Sequence, residues 1–289
     1  MKKALKIVLI VVAVLIILAV VGFVSVTGTS TRTAYLKIDS GAVEVDKGSG
    51  WTAAADGMDL SLNDKIRTAD GEASVILYES IIVQLEKNTE VSIKDLTKDN
   101  VVVKQASGTT WNKFTGLSGV KGYEVETPTT VATVRGTEFG INLSEVIVGE
   151  GEVDVAAAGQ KLKILEGKKA AFLMGKLSEL NLTPEEKQFI AKMLAKSLEK
   201  LKELRMAELQ KHKFLLNQIK KMRNLTDADI QRGFEKLDSG NITEEEVMNK
   251  MPIPLQKLPV SKNSINNMIE LNKKIRKQQQ LINKLKGGQ

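Results

Sequence analysis

The sequence predicts a mainly β protein with a C-terminal α-helical region and one N-terminal transmembrane helix. Three observations predict this. A long apolar run follows the first lysines, apolar and polar residues alternate through the middle of the chain, and after about residue 180 the apolar spacing changes to three and four residues. The regions also differ in net charge, which is +4 over residues 1–33, −6 over 34–175 and +9 over 176–289. We therefore divide the chain into three parts.

Composition excludes several classes of site. The 289 residues include no cysteine and one histidine, so disulfides, thiolate metal sites, iron–sulfur clusters and multi-histidine metal sites are excluded. We predict no metal and no cofactor. Only carboxylates remain for catalysis, and no motif singles out a pair. We therefore predict that the protein is not an enzyme, although a glycan-cleaving pair of acids stays open as an alternative.

Residues 7–26 predict a membrane anchor. This run carries no charged residue, and as a helix it is about 30 Å long, which matches the hydrocarbon thickness of a bilayer. The competing interpretation is a cleaved signal peptide, whose apolar region has about 7–15 residues and a small-residue cleavage site. The run here is longer, and the sequence Val24-Ser25-Val26 is a poor cleavage site. A buried helix of a soluble protein is the third interpretation, and we favour the retained anchor.

The charges beside the anchor predict its orientation. Lys2, Lys3 and Lys6 precede it, whereas the Ser/Thr-rich linker over 27–34 contains only Arg32. Positive residues beside a span stay in the cytoplasm. We therefore expect a single-pass protein of the cytoplasmic membrane, with residues 1–6 inside and the bulk of the chain extracytoplasmic.

The middle region predicts an all-β domain, either antiparallel or solenoid-like. Sixteen of the 22 glycines lie between residues 34 and 175, in turn sequences that recur about every ten residues. Between the turns, apolar residues recur with a period of two, which places alternate side chains on opposite faces of a strand. The alternating apolar residues are Val75 and Leu77, Val83 and Leu85, Val91 and Ile93, Tyr123 and Val125, Phe139, Ile141 and Leu143, and Val153 and Val155.

One stretch of this region resembles a known family. Residues 127–143, TPTTVATVRGTEFGINL, closely resemble the signature of the FecR-like domain, the extracytoplasmic part of the ferric-citrate regulator family. The segments 145–155, 41–45 and 63–77, together with Trp51, resemble the flanking pattern, so the resemblance covers about residues 35–170. In characterised relatives such a domain passes a signal from an outer-membrane transporter to a cytoplasmic sigma factor. The resemblance implies binding residues at Thr127, Pro128, Arg135, Gly136, Thr137, Glu138 and Phe139.

Residue chemistry suggests how this motif folds. Pro128 marks a strand start or an edge, and Arg135-Gly136 predicts a tight turn or bulge. Phe139 is expected to point inward and Glu138 outward, and Arg135 and Glu138 are placed to pair across the turn. Two interpretations stay open: Arg135 and Glu138 contact a partner, or they hold a corner of the β domain together.

The C-terminal region, residues 176–289, predicts helices. Thr183 and Glu186 form a capping-box sequence around Pro184, and the apolar spacing that follows predicts a helix over about 184–224. Arg205 and His212 interrupt its apolar stripe, which therefore predicts an imperfect coiled-coil seam.

Further helix starts are predicted at Thr226 and Thr243, followed by a proline linker over 252–259 and a basic final helix over about 262–286.

These observations predict a membrane-anchored, extracytoplasmic FecR-like protein that acts as a non-catalytic binding, sensing or regulatory module at the cell envelope. Its expected partner is a protein or an envelope polymer, and nucleic acid is disfavoured. Because six residues precede the span, we expect only the extracytoplasmic module of the relatives to carry over. The alternative is an envelope scaffold that forms homo-oligomers through residues 184–224.

Overall fold

The computed structural model describes residues 32–210, 224–243 and 262–287, together with positions 213, 217, 220, 221 and 246. The predicted anchor over 7–26 and the proline linker over 252–259 lie outside the described residues. Among the helices that are described, none is both long enough and apolar enough to cross a membrane. The chain divides into two compact units, a β unit that ends at Ser197 and a helical unit that begins at Leu198.

The prediction of a mainly β domain followed by a helical region is confirmed. The β unit has two sheets in the described part of the chain, and its last strand ends at Asn181, beyond the 35–170 range of the sequence analysis. The strands are β1 (Ala34–Ser40), β2 (Val43–Asp46), β3 (Trp51–Ala53), β4 (Lys65–Thr68), β5 (Glu72–Leu77), β6 (Ile81–Leu85), β7 (Glu90–Leu96), β8 (Val101–Ser107), β9 (Thr110–Phe114), β10 (Tyr123–Glu126), β11 (Val131–Val134), β12 (Glu138–Ile141), β13 (Glu145–Glu150), β14 (Glu152–Ala157), β15 (Gln160–Leu165), β16 (Lys168–Leu173) and β17 (Lys176–Asn181).

The two sheets form a sandwich-like pair rather than a solenoid. Sheet A has the order β1-β5-β6-β9-β12-β13-β16-β17, and sheet B has the order β15-β14-β11-β10-β8-β7-β4-β2-β3. Neighbouring strands are antiparallel except for β8 and β10, which are parallel. Of the two all-β alternatives, the structure therefore shows the antiparallel one.

The period-two alternation correctly predicts the hydrophobic core between the sheets. Val83 from sheet A and Val103 from sheet B are both buried in one apolar cluster, with Phe139 and Tyr123 near its centre. Each buried aliphatic side chain contributes about 1.5–3 kcal/mol, so this cluster is the main source of stability of the β unit. Leu143 is the exception among the predicted core residues, because it follows the end of β12 and is 38% exposed.

In the continuously described ranges, three helices follow the strands: α1 (Pro184–Gln210), α2 (Asp227–Asp238) and α3 (Lys262–Gly287). The predicted capping box at the start of α1 is present. The Thr183 backbone N–H donates to Glu186 Oε2 at 2.8 Å, and the Glu186 N–H donates to Thr183 Oγ1 at 3.3 Å. Most residues between 211 and 223 lie outside the description, so the predicted end of this helix near residue 224 is not tested.

The helical unit buries Arg205, the charged residue that interrupts the predicted apolar stripe. The Arg205 guanidinium is 4% exposed and forms a bidentate pair with Asp238, with N–O distances of 2.5 and 2.9 Å. It also donates to Asn272 Oδ1 at 3.2 Å and lies 4.1 Å from the centre of the Phe234 ring. Arg205 therefore joins α1 to α2 and α3, because a bidentate pair fixes both distance and orientation.

Candidate functional site

The structure separates the seven motif residues into two groups. Thr127 and Pro128 lie in the turn between β10 and β11, where the Thr127 N–H donates to the Thr130 carbonyl at 2.8 Å. Arg135 and Gly136 follow the other end of β11. Four strand residues lie between the groups, so they are about 13 Å apart. Pro128 therefore lies in the turn before β11 and is not itself a residue of the strand.

Arg135 and Gly136 form an exposed corner where the chain passes from sheet B to sheet A. Gly136 has a φ of +78°, a conformation that L side chains rarely adopt. The Thr137 hydroxyl, buried directly after the corner, donates to the Glu152 carbonyl at 2.7 Å. The Thr137 carbonyl in turn accepts from the Phe114 N–H at 2.9 Å. The corner is therefore fixed to strands of both sheets.

The predicted pairing of Arg135 with Glu138 is wrong. Glu138 points away from the core, as predicted, but it is 0% exposed and pairs with Lys113 instead. Arg135 is exposed, and within the described residues it has no ion pair or side-chain hydrogen bond. The reason is the geometry of the corner, which turns β11 and β12 into different sheets and sends the two side chains apart.

Lys113, Glu138 and Glu150 form a buried charge cluster on the outer face of sheet A. Register places them in one row, because Glu138 pairs with Lys113 on β9 and with Glu150 on β13. The Lys113 ammonium is 3.0 Å from Glu138 Oε2 and also contacts Glu150 Oε2. The three residues are only 3, 0 and 7% exposed. One ammonium therefore compensates two carboxylates away from solvent.

The shared ammonium determines the charge states. Burial opposes ionisation of Lys113, but the two carboxylates outweigh it and raise the pKa of that amine. Burial raises the pKa of Glu138, against the lowering effect of Lys113 and of donors from Ser197 and Trp111. Both shifts favour the protonated form, so the Lys113 ammonium is stabilised and Glu138 gains a proton more readily than in water.

Helix α1 covers this face with its first turns, residues 184–197, which we call the cover segment. Trp111 lies beneath it and donates its indole N–H to Glu138 Oε1 at 2.6 Å. The Phe189 ring meets the indole edge-on, with centroids 5.9 Å apart. Gly140 and Gly149 make room for the indole, since a Cβ on either would come within 2.7 and 2.9 Å of Trp111 carbons.

Ion pairs hold the cover segment at its start. Lys169 on β16 lies 2.6 Å from Glu186 and 2.9 Å from Glu145.

The end of the cover segment is also held by ion pairs. Lys196 lies 2.9 Å from Glu72 and 3.1 Å from Glu86, and Gln84 donates to the Ser197 hydroxyl at 2.7 Å. These contacts involve β5 and β6, so the cover segment spans most of the width of sheet A.

A cleft of about 280 Å³ opens beside the cover segment. Its two carboxylates, Glu86 and Glu145, already pair with Lys196 and Lys169. No group of residues in the described ranges has the composition of a metal site. The cleft is lined by Glu86, Thr109, Gly140, Ile141, Asn142, Glu145, Ile147 and Phe189.

The outer face of sheet B shows the opposite arrangement. Lys163 on β15 lies 2.7 Å from Glu152 and 4.0 Å from Asp154, both on β14. All three side chains are more than half exposed. This exposed charge cluster has the same composition as the buried one, namely one lysine with two carboxylates.

The buried cluster serves to position the strands. Glu138 is 0% exposed, and Lys113 and Glu150 are nearly as deeply buried, so the cluster presents little surface to a substrate. Its row ties β9, β12 and β13 together immediately after the Arg135 corner. Of the motif residues, Thr137, Glu138 and Phe139 are buried, whereas Pro128, Arg135 and Gly136 reach the surface and Thr127 is half-buried.

Sequence reasoning missed Lys113, Glu150 and Trp111. Trp111 and Lys113 are two residues apart on β9, so the sequence places both side chains on the same face of that strand. Nothing in the sequence showed that a later helix would bury the outer face of these strands.

Comparisons with known proteins place this domain. The family model described as FecR protein matches residues 64–159, which lie within the sandwich and contain the motif, so the predicted resemblance to this family is confirmed. No curated protein matches the sequence. Two crystal structures of a candidate anti-sigma factor from Parabacteroides distasonis, at 1.65 and 2.50 Å resolution, are each 18% identical with a TM-score of 0.37. Each comparison covers 40% of this chain and 59% of the other.

Proposed function

We propose that this FecR-domain protein is a non-catalytic regulatory module at the cell envelope, anchored in the cytoplasmic membrane by residues 7–26, with the β unit and the helical unit extracytoplasmic. The observation that carries the proposal is the FecR match over residues 64–159. The sequence adds a charge-free run of bilayer length before the first strand, with its lysines on the far side.

The module binds its protein partner, in this proposal, through the Arg135 corner. Arg135 is an exposed guanidinium without an ion pair among the described residues, and the corner is fixed to both sheets through Thr137. A rigid, exposed arginine suits recognition of a carboxylate, because its donors are already arranged in a fork. Glu138 and Phe139 act indirectly by holding β12 in place.

The scaffold alternative receives less support. It requires the apolar stripe of the predicted helix over 184–224 to be open to a second chain. Leu201 and Leu209 of that stripe are each 0% exposed, and Arg205 is occupied by Asp238, all within one chain. The described part of the stripe is therefore already covered.

Topology is tested with reporters fused to Gln289 of the full chain. Alkaline phosphatase is active only outside the cytoplasm, whereas a fluorescent protein that folds only in the cytoplasm reports the opposite side. We expect active phosphatase and no fluorescence. Inactive phosphatase with bright fluorescence would overturn the proposal.

The contact surface is tested with a photoreactive amino acid at position 135 of the full chain in its native membrane. We expect a protein crosslink from the probe at position 135. We expect none from the same probe at Ser49, an exposed residue in the loop between β2 and β3. Equal crosslinking at both positions would contradict the assignment of the corner.

A further inference from the structure

Three large apolar side chains are exposed together at one end of the sandwich. Leu143, in the turn between β12 and β13, is 38% exposed. Leu173, the last residue of β16, and Met174, in the turn that follows it, are 63 and 107% exposed. We call these three residues the apolar tip. Single exposed apolar residues are ordinary on protein surfaces, whereas a group of them marks an interaction site.

Hydrogen bonds join the turns that carry the apolar tip. The Phe172 N–H, beside Leu173, donates to the carbonyl of Ser144 at 2.8 Å. On the other side, the Gln160 side chain donates to the Gly175 carbonyl at 2.7 Å. The bond between Phe172 and Ser144 therefore holds the two segments of the apolar tip next to each other.

The backbone at Met174 is unusual for a solvent-exposed methionine. Met174 and Gly175 form a two-residue hairpin turn with φ values of +51° and +75°. Such turns favour Asn or Gly at their first central position, because other side chains disfavour positive φ. A methionine here gains no packing within the unit, so local folding does not explain its presence.

Uncompensated lysines flank the apolar tip. Lys176 pairs with Leu173 across the hairpin, and Lys161 lies next to Gln160 at the start of β15. Both are exposed, and neither forms an ion pair within the described residues. The carboxylate of Glu145, two residues after Leu143, is already paired with Lys169. The surface is thus apolar at its centre and positive at its rim.

We propose that the apolar tip inserts into the surface of a bilayer that contains anionic lipids. Their exposure favours lipid, because side chains that project into solvent can enter a bilayer surface without a complementary pocket. The apolar tip also lacks the Trp, Tyr and Arg that dominate protein–protein hot spots. Apolar side chains on a basic rim are the usual means of interfacial binding, with the lysines attracted to anionic headgroups.

The apolar tip lies at the end of the sandwich opposite the start of β1. Ala34 is in one row with Phe114, which bonds to Thr137 at the corner. From that corner, β12 runs to Leu143 over about six residues, or about 20 Å. The apolar tip and the start of β1 therefore lie at opposite ends of the β unit, and the bilayer is proposed as one other than the membrane that holds residues 7–26. Only this choice of bilayer rests on the proposed function.

A vesicle-tethering experiment tests the proposal. The full chain is reconstituted into phosphatidylcholine liposomes and mixed with labelled acceptor vesicles of phosphatidylcholine, with or without phosphatidylglycerol, and flotation measures the label recovered with the protein. A chain that does not insert is assayed directly for flotation with the acceptor vesicles. Failure of the anchor and failure of the apolar tip are therefore distinguishable.

Wild type is expected to tether the anionic vesicles and to release them as salt rises. The double substitution Leu173→Ser and Met174→Ser should weaken tethering about a hundredfold, because both insertions are lost. Lys161→Glu with Lys176→Glu should remove the preference for anionic vesicles. Leu62→Ser, at a leucine 50% exposed elsewhere, and Lys98→Glu, at the opposite end, serve as matched controls.

Three results would overturn the proposal: no tethering by wild type, equal tethering by the Leu173/Met174 double variant, or equal effects of the control substitutions. A photoreactive residue at position 174 gives a second measurement in the native membrane. Lipid adducts at that position would support insertion, whereas adducts with protein alone would overturn it.

Discussion

The two outer faces of the sandwich use the same residue types in opposite surroundings. On sheet A, Lys113 lies between Glu138 and Glu150 beneath the cover segment, and all three are buried. On sheet B, Lys163 lies near Glu152 and Asp154 in solvent. Each cluster has one lysine and two carboxylates, and the two differ in burial and in one acid, which is Glu150 on sheet A and Asp154 on sheet B.

Environment decides what each cluster contributes. Water screens the exposed charges, so their attraction nearly cancels against the entropy lost in holding three long side chains. The buried charges interact strongly, but they have also lost their hydration, and removing one partner leaves the others unpaired. The buried cluster therefore defines the strand arrangement near the Arg135 corner, whereas the exposed cluster leaves the fold almost unaffected.

The largest expected effect comes from removing the buried ammonium. Lys113→Met keeps the length of the side chain but leaves Glu138 and Glu150 without their cation, and should lower the free energy of unfolding by about 3–5 kcal/mol. Lys163→Met, its matched control on sheet B, should lower it by at most about 1 kcal/mol. Urea unfolding of the purified full chain measures both. Equal losses would remove the distinction between the faces.

A smaller effect is expected from filling the space around Trp111. A Cβ at Gly140 would lie 2.7 Å from Trp111 Cε3, so Gly140→Ala must displace the indole and loosen its contact with Phe189. Overpacking of this kind costs about 1–3 kcal/mol. In a Trp51→Phe background Trp111 is the remaining tryptophan, and its emission should shift to longer wavelength. Unchanged emission and stability would show that the indole has room.

The pH dependence of stability should carry the signature of Glu138. Burial raises the pKa of this group above its ordinary value of 4.5, so its contribution is greatest below about pH 4.5 and falls as the pH rises through the raised pKa. The unfolding free energy of wild type minus that of Glu138→Gln should therefore decrease as the pH rises through this range.

A carboxylate under the other end of the cover segment should show the opposite sign. A hydrogen bond from Lys196 lowers the pKa of Glu72, so its contribution is present above pH 4.5 and is lost as the pH falls. The stability of wild type relative to Glu72→Gln should thus decrease on acidification. Matching slopes for the Glu72 and Glu138 comparisons would contradict the assigned environments.

The smallest effect is expected on the exposed face. Asp154→Asn leaves Lys163 paired with Glu152, and the change in unfolding free energy should be below about 0.5 kcal/mol and vanish in high salt. Thermal unfolding at low and high ionic strength measures it. A loss that persists in high salt would show that this cluster is not screened.

The sequence predicted the parts of the fold that depend on local periodicity. Alternation identified the buried members of β5, β6 and β10, and the capping box at Thr183 fixed the start of α1. Alternation also placed Glu138 on the face opposite Phe139. It did not predict that this face is covered, because the cover segment comes from a region more than forty residues later in the chain.

Long-range pairing also explains the interpretation of Arg205. Within its own helix it interrupts an apolar stripe, and only the fold brings Asp238 and Asn272 to it. The apolar tip escaped prediction for a related reason. Leu143 continues the alternation of β12, but the strand ends at Ile141 and the next residues turn.

The role of the buried cluster depends most on the sealing of the sheet A face by the cover segment. Acrylamide quenching of Trp111 in the Trp51→Phe full chain tests this directly, since the structure gives Trp111 an exposure of 0%. We predict negligible quenching until urea unfolds the protein, followed by full quenching in the same transition. Quenching of Trp111 in the folded protein, at the level of an exposed tryptophan, would contradict it.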